Sequence, residues 1–244
     1  MKALKIDLNC DMGESFGAWE MGNDLAVMDY VTSVNIACGF HAGDPGIMRK
    51  TAAAALQKGV KIGAHPGFQD LQGFGRRNMD VTAQEVYDLC LYQIGALQAT
   101  VKALRGKLHH VKPHGALYNM AAKQPGLAEA IAAAVKSADS DLYLYGLSGS
   151  CLIAEAEKAG LKTFSEVFAD RTYRNDGSLT PRNEPNALLE NLAEIEKHVL
   201  RMADEKKVVC ADGSEIKIKA DTVCIHGDGK NALPIAMKLF EILI

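Results

Sequence analysis

The sequence contains no long apolar run, no closely spaced cysteine pair and no large excess of charge of either sign. No hydrophobic stretch in the 244 residues approaches the roughly 20 residues that a membrane-spanning helix needs. The six cysteines include no Cys-x-x-Cys pair, so the sequence predicts neither a zinc knuckle nor a dithiol redox motif. A net charge of -3 provides no basic field for a nucleic-acid backbone. These absences indicate a protein that binds neither a membrane nor a nucleic acid.

Two common catalytic signatures are also missing. The chain has no phosphate-binding loop of the Gly-x-x-x-x-Gly-Lys-Ser/Thr type and no Gly-x-Ser-x-Gly elbow of the serine hydrolases. We expect the scattered cysteines to be buried free thiols, because a chain with this much core does not need a disulfide framework. The first residues enter a predicted strand, and Asp7 interrupts it before any signal-type apolar core forms. We therefore expect a cytoplasmic protein.

Seven short segments rich in Val, Ile, Leu and Tyr are typical of strands that are buried on both faces. They lie at 4–9, 31–38, 60–65, 109–114, 141–146, 162–168 and 222–227. Helical patterns lie between most of them, at 45–58, 83–105, 125–138, 149–159, 185–204 and 231–243. This alternation predicts βα units and a parallel sheet. The strand count fits a closed seven-stranded parallel barrel of the α/β class, and an open doubly wound sheet is the alternative.

Local signals define several boundaries. Asp44 suits the N-cap of the helix at 45–58, and Gly59 suits its C-terminal stop. The segment at about 207–219 breaks the rhythm, because its two alternating runs flank an Asp-Gly pair and predict a small β-hairpin insertion before the last strand. No linker or internal repeat is visible, so we predict a single domain over 1–244.

Six of the seven predicted strands run into polar residues that can do chemistry. These clusters lie at 7–14, 35–44, 63–67, 112–114, 166–171 and 226–228. The parallel strands of a barrel present their C-terminal ends at one mouth, where active sites are found. The clusters therefore predict one shared site, and the chain is predicted to be an enzyme or part of one.

The first cluster places oxygen side chains on one face of a strand. Asp7, Asn9 and Asp11 share that face because strand side chains alternate, and Glu14 follows closely. Such groups are costly inside a core unless they bind something. We interpret them as functional residues, and a hydrogen-bond network that braces the barrel floor is the alternative.

Histidines concentrate at the predicted strand ends. His41, His65, His114 and His226 follow strands, whereas His198 has the position of a helix-surface residue. Converging histidines serve as acid/base groups, metal ligands or anion donors. A divalent metal held by ligands from different strands, with Asp11, His41 and His65 as candidates, stays open because the same atoms also transfer protons.

Charged residues of both signs accompany the histidines. Lys112 ends a predicted strand, where it can hold a carboxylate or a phosphate. Asp170 and Arg171 add charge to the same rim, and Arg76 lies in a glycine-bearing loop that can close over an anionic ligand. Asp228 follows His226 where the last predicted helix begins, and backbone amides at such a point can bind an anion.

These motifs together closely resemble the LamB/YcsF family over almost all of the chain. The resemblance is carried by six segments in order: Asp-Leu-Asn-Cys-Asp-Met-Gly-Glu (7–14), Asn-Ile-Ala-Cys-Gly-Phe-His-Ala-Gly-Asp-Pro (35–45), Ala-His-Pro-Gly-Phe-Gln-Asp-Leu-Gln-Gly-Phe-Gly-Arg-Arg (64–77), Val-Lys-Pro-His-Gly-Ala-Leu-Tyr-Asn (111–119), Glu-Val-Phe-Ala-Asp-Arg (166–171) and Val-Cys-Ile-His-Gly-Asp (223–228).

The resemblance implies a barrel like that of the glycoside hydrolase/deacetylase superfamily and a place in a bacterial ATP-dependent 5-oxoprolinase with separate subunits B and C. The implied reaction opens the lactam of 5-oxo-L-proline to L-glutamate while ATP is hydrolysed to ADP and phosphate. Whether ATP binds this chain or a partner is open. The alternatives are a metal-dependent, carbohydrate deacetylase-like hydrolase and a non-catalytic subunit that binds the lactam or scaffolds its partners.

On the implied reaction, the candidate residues divide into two sets. The catalytic candidates are Asp11, Glu14, His41, Lys112 and His114. The candidates for substrate or phosphate binding are Asp7, Asn9, Asp44, His65, Arg76, Asp170, Arg171, His226 and Asp228.

Overall fold

The computed structural model describes residues 5–227 and 231–244. Its nine strands are β1 (Asp7–Met12), β2 (Ser33–Ala37), β3 (Lys61–His65), β4 (Leu108–Val111), β5 (Tyr143–Leu147), β6 (Lys162–Phe168), β7 (Lys207–Val209), β8 (Glu215–Lys217) and β9 (Thr222–Ile225). Seven of them form a closed barrel in the order β1-β2-β3-β4-β5-β6-β9, and every neighbouring pair is parallel. The predicted seven-stranded barrel is therefore confirmed, and the open sheet is excluded.

Helices follow most of the strands. They are α1 (Asp24–Val27), α2 (Pro45–Lys58), α3 (Ala83–Ala103), α4 (Gly115–Ala121), α5 (Pro125–Ala138), α6 (Cys151–Lys158), α7 (Leu192–Leu200) and α8 (Ala232–Leu243), with a short 3₁₀ turn at Met28–Tyr30 and a π turn at Arg201–Glu205. Among the residues that the structure describes, no helix is both long and apolar enough to cross a membrane.

The predicted boundary signals of α2 and of the hairpin are confirmed. The Asp44 side chain accepts hydrogen bonds from the amides of Gly46 and Ile47, so the helix starts where the sequence predicts. Strands β7 and β8 pair antiparallel across a turn in which Gly213 has a φ of +83°. The hairpin pairs with itself rather than with a barrel strand.

Four sequence expectations are corrected. The first strand spans Asp7–Met12 and so extends beyond the predicted end at residue 9, because its polar residues lie within the strand instead of after it; residue 4 of the predicted strand lies outside the described residues. The helix expected at 185–204 begins at Leu192, where the Asn191 side chain accepts hydrogen bonds from two helix amides. Helix α4, directly after β4, has no counterpart among the predicted helices. His198 is partly buried against Tyr173, with ring centroids 6.0 Å apart, rather than on the helix surface.

The strands bury polar residues on their inner faces and apolar residues on their outer faces. On β1, Leu8, Cys10 and Met12 are fully buried in the apolar core, whereas the alternate residues of this strand join the polar network inside the barrel. Because both faces are buried, the polar inner face must find its hydrogen-bond partners within the barrel. This requirement positions the candidate site.

Gly63 on β3 provides space for a large side chain inside the barrel. A Cβ added at this glycine would overlap the imidazole of His110, which fills the lumen from β4. We expect Gly63→Ala to lower the free energy of unfolding in urea by about 1–3 kcal/mol, the usual cost of overpacking a core.

Gly95→Ala is the matched control for this substitution. Gly95 is exposed within α3, and an added Cβ would meet nothing within 4 Å. This change should stabilise the protein by about 0.5–1 kcal/mol, because alanine suits a helix interior better than glycine. Equal effects of the two substitutions would contradict the tight packing around His110.

Candidate active site

The lower end of the barrel is braced by Asp7. Its carboxylate accepts hydrogen bonds from Thr32 Oγ1 at 2.8 Å, Ser33 Oγ at 2.8 Å and Thr222 Oγ1 at 2.7 Å. Asp7 begins β1, so it lies at the end of the strands opposite the mouth. Asp7 was predicted to bind substrate or phosphate, with a bracing hydrogen-bond network as the alternative. Its position in the structure is that of the bracing network.

A second level of polar side chains fills the middle of the barrel. Asn9 donates to Glu166 Oε1 at 3.0 Å and accepts from Asn35 Nδ2 at 2.8 Å. His110 Nε2 lies 2.7 Å from Asn35 Oδ1, which fixes it as the donor nitrogen of that ring. Asn9 is fully buried and supports the groups above it.

Lys112 is the hub of the upper level. Its Nζ lies 2.8 Å from Asp11 Oδ1 and 3.0 Å from Glu166 Oε1. Asn9 Oδ1 at 3.3 Å and Cys224 Sγ at 3.1 Å also contact it. The lysine is only 2% exposed, so its charge depends on these partners. One ammonium thereby links side chains from β1, β6 and β9 to the end of β4.

Electrostatic interactions keep Lys112 and Asp11 ionised. Burial alone would lower the pKa of Lys112, but the charges of Asp11 and Glu166 outweigh burial and raise that pKa well above its usual value. Burial would raise the pKa of Asp11, yet His65 and Lys112 hold it well below its usual range. Tyr118 donates to the second oxygen of Glu166 at 2.6 Å. Lys112 and Asp11 are thus a fixed ion pair beneath the mouth of the barrel.

Four residues form a compact cluster beside this pair. Glu14, His41, His65 and His114, which we call the histidine–glutamate cluster, each place one ligand-type atom within 4.8 Å of the others. His41 Nε2 lies 3.3 Å from Glu14 Oε1, and His65 Nε2 lies 3.0 Å from His114 Nδ1. Burial lowers the pKa values of His41 and His114 well below the ordinary value, so both imidazoles are neutral at neutral pH.

The cysteines at the strand ends are not activated nucleophiles. Burial raises the pKa of Cys38 to about 12, and it raises the pKa of Cys10 and of Cys224 well above the usual value. A thiol needs a lowered pKa to react as a thiolate at neutral pH.

A cavity of about 880 Å³ opens above these groups. Its floor includes Asp11, Glu14 and Lys112, together with His65 and His114. Cationic side chains surround its upper wall; they are Arg76, Arg77, Lys123, Arg171, Arg174 and Arg182. The volume lies within the range of small-molecule sites. A floor of paired charges and imidazoles beneath a basic rim suits a ligand that carries negative charge at one end.

Two rim residues are held in place by their neighbours. Arg171 Nη2 donates to the carbonyl of Thr180 at 2.6 Å, and burial lowers the pKa of its guanidinium to about 10. His226 Nδ1 lies 2.8 Å from Asp170 Oδ1, and its Nε2 lies 2.8 Å from Arg182 Nη2. Asp170 thus orients His226 toward the rim instead of lining the cavity itself.

The structure brings most of the predicted residues together. Asp44 is an exception, because its carboxylate caps α2 and accepts from the amide of Gly17 at 3.0 Å. Asp228 lies outside the described residues. Sequence reasoning did not select Glu166 and Tyr118, although both lie within quoted motifs. The alternation of β6 could have indicated an inward Glu166, whereas Tyr118 lies on α4, which the sequence pattern did not reveal.

Comparison with known proteins identifies the family and supports the fold. The LamB/YcsF family model matches residues 6–243. The A subunit of 5-oxoprolinase from Brevibacillus brevis is 58% identical over 98% of this chain and 94% of its own length, and that from Shouchella clausii is 61% identical over 96% and 92%. The crystal structure of a lactam utilization protein from Thermus thermophilus is 47% identical, with a TM-score of 0.92 over 98% of this chain and 96% of that chain.

The buried ion pair gives a stability prediction. Lys112→Met should lower the free energy of unfolding by about 3–5 kcal/mol, because it leaves Asp11 and Glu166 buried without their counter-charge. Adding Glu166→Gln should cost at least about 1 kcal/mol less than the sum of the two single changes. Urea denaturation of the four proteins at neutral pH measures this coupling.

The exposed pair of Lys158 and Glu155, whose charged atoms are 3.0 Å apart, provides the control cycle. Its coupling should stay below about 1 kcal/mol, as for other surface ion pairs. Additive effects of Lys112→Met and Glu166→Gln would show that the contact between Lys112 and Glu166 does not contribute to stability.

Proposed function

The chain belongs to the LamB/YcsF family, and we propose that it is the A subunit of a 5-oxoprolinase that acts together with subunits B and C. The proposed reaction converts 5-oxo-L-proline to L-glutamate while ATP is hydrolysed to ADP and phosphate. The observation that carries the proposal is one cavity with a cationic rim above a charged floor. The chain shares more than half of its residues with relatives named as the A subunit of 5-oxoprolinase, and this supports the choice of substrate.

The cationic rim can bind the anionic groups of both substrates. The substrate carries a carboxylate, and ATP carries phosphates. Arginine binds either group through paired N–H donors, and Arg76, Arg171 and Arg182 all line the cavity. The backbone holds Arg171 in place before any ligand binds, which reduces the ordering cost of binding. Anion binding at this rim does not depend on which subunit supplies the nucleotide.

Activation of the lactam explains why the floor does not need a strong base. Phosphoryl transfer from ATP to the lactam oxygen would supply an activated carbon. Lys112 Nζ lies 2.8 Å from Asp11 Oδ1, and His65 and Lys112 together keep the pKa of this carboxyl low, so Asp11 is a weak base. A weak base is adequate when the carbon is already activated.

In this scheme Asp11 accepts a proton from the attacking water as the new C–O bond forms. It then returns that proton to the ring nitrogen as the C–N bond breaks, and the product of this step is the side-chain acyl phosphate of glutamate. A second water attacks the same carbon, the C–O bond to the phosphate breaks, and glutamate and phosphate are released. Lys112 stays protonated throughout and compensates the charge that moves through Asp11. The roles of Glu14, His41 and His114 in proton transfer stay predictions.

Reconstitution tests the proposed function. Glutamate and ADP should form from 5-oxoproline and ATP when this chain is mixed with subunits B and C, and not when it is alone. Asp11→Asn should lower kcat by at least about 100-fold, the usual contribution of a general acid–base group. Asp212→Asn, in the exposed hairpin turn, is the matched control and should retain full turnover.

Two outcomes would contradict the proposal. Full turnover by complexes that contain Asp11→Asn or Lys112→Ala would show that the floor is not the reacting site. Glutamate production without ATP would favour the metal-dependent hydrolase instead. Circular dichroism of each variant separates loss of chemistry from loss of fold.

A further inference from the structure

The histidine–glutamate cluster draws one residue from each of four neighbouring strand ends. Glu14 follows β1, His41 follows β2, His65 ends β3 and His114 follows β4. The three histidines are buried, and the Glu14 side chain is 11% exposed at the cavity. We propose that these four residues bind one divalent transition-metal ion of the Zn²⁺ type.

The tautomers of two histidines carry the argument. His65 Nδ1 lies 2.7 Å from the carbonyl of Lys112, and His114 Nε2 lies 2.8 Å from the carbonyl of Phe74. A carbonyl can only accept, so both nitrogens must be the N–H of their rings. A neutral imidazole has one N–H. When both rings are in the neutral form, the remaining nitrogens, His65 Nε2 and His114 Nδ1, both present lone pairs, and these two atoms lie 3.0 Å apart.

Two facing lone pairs repel unless a cation lies between them or beside both. Hydrogen bonding of the distal N–H to a backbone carbonyl is also the arrangement that orients metal-binding histidines. His65 and His114 both make this hydrogen bond to a backbone carbonyl. A proton shared by the two nitrogens is the alternative occupant, and the experiment below separates a proton from a metal.

The other two residues complete a set of one carboxylate and three imidazoles. His41 stacks on His114 with ring centroids 3.7 Å apart and an interplanar angle of 3°. Its Nε2 lies 3.3 Å from Glu14 Oε1, while its buried Nδ1 has no hydrogen-bond partner in the described part of the chain. Gly75, with a φ of +62°, permits this stack, because a Cβ there would come within 2.7 Å of His41 and 2.9 Å of His114.

Three of the six separations between the candidate ligand atoms are close to those of a tetrahedral ion, and all four atoms lie within 4.8 Å of one another. Bonds of about 2.0–2.1 Å place neighbouring ligand atoms of a tetrahedral Zn²⁺ about 3.3 Å apart. The observed separations are 3.0 Å for His65–His114, 3.3 Å for His41–Glu14 and 3.7 Å for His114–Glu14. Imidazole donors favour Zn²⁺ and its neighbours over Mg²⁺ or Ca²⁺.

The set differs from the metal ligands suggested by the sequence. His41 and His65 are retained, but Asp11 pairs with Lys112 and gives way to Glu14 and His114. Asp11 Oδ2 still lies 3.3 Å from His65 Nε2, so a second carboxylate adds negative charge beside the ion. The metal site does not depend on which cyclic amide the cavity binds.

Metal binding can be measured on the full chain without any assay of turnover. The protein is stripped with a chelator, titrated with ZnCl₂ by calorimetry, and analysed for metal by mass spectrometry after gel filtration. We expect one Zn²⁺ per chain and an increase in Tm on binding. MgCl₂ at the same concentrations should not displace it.

The variants His65→Gln, His114→Gln and Glu14→Gln identify the ligands. Each should weaken Zn²⁺ affinity by at least about 100-fold and abolish the Tm increase. His109→Gln is the matched control, because His109 is partly exposed where β4 begins and lies outside the cluster. It should bind Zn²⁺ as the wild type does.

Wild-type protein that retains no stoichiometric Zn²⁺ would overturn the proposal and favour the shared proton. Unchanged affinity in folded His65→Gln and His114→Gln would overturn the ligand assignment. Because the readouts are metal content, heat and Tm, an inactive mixture of subunits would not affect the result. A variant that fails to fold is replaced by Glu14→Gln, whose side chain is partly exposed.

Discussion

The ammonium of Lys112, buried between Asp11 and Glu166, is the interaction on which the rest of the structure depends. A charge that is 2% exposed is stable only if its partners are fixed. These partners come from β1 and β6, the two strands that flank β9, whereas Lys112 follows β4. The network continues downward from Asn9 through Thr222 to Asp7 at the lower end of the barrel. The same contacts therefore cross-link the barrel strands and position the groups of the site.

The level above this network explains how the mouth can do chemistry. Imidazoles and carboxylates face the cavity from below, and arginines surround it from above. Separating the two kinds of charge orients an anionic ligand, with its charged end at the rim and its reacting atoms near the floor. Loops after successive strands supply these groups, as is usual for enzymes built on parallel barrels.

Much of the fold was predictable because its signals are local. The cap residue Asp44 and the stop at Gly59 fix α2 where the pattern predicts, and the strand–helix alternation gives the parallel barrel. The error at β1 has a physical cause. A polar alternation normally indicates a solvent-exposed face, whereas this face points into a polar lumen. Residues 185–191 are not helical because tertiary hydrogen bonds, such as Leu189 N to Asp170 O, override the helical pattern.

The sequence predicted most of the residues of the site but not the contacts between them. Sequence reasoning found the histidines and Asp11, because they follow or end strands. It could not find that His114 stacks on His41 or that His65 faces His114, since those contacts depend on barrel register and on the loop that carries Phe74 and Gly75. Glu166 required knowledge of which face of β6 points inward.

The central claim is that the lactam binds in this cavity, between the Lys112–Asp11 pair and the arginine rim. A crystal structure of the full chain soaked with 5-oxo-L-proline tests it most directly. The account predicts density for the lactam above Asp11, with its carboxylate against Arg171 or Arg182. Lactam density elsewhere on the chain would contradict the claim, as would an unchanged cavity at a concentration that saturates binding in solution.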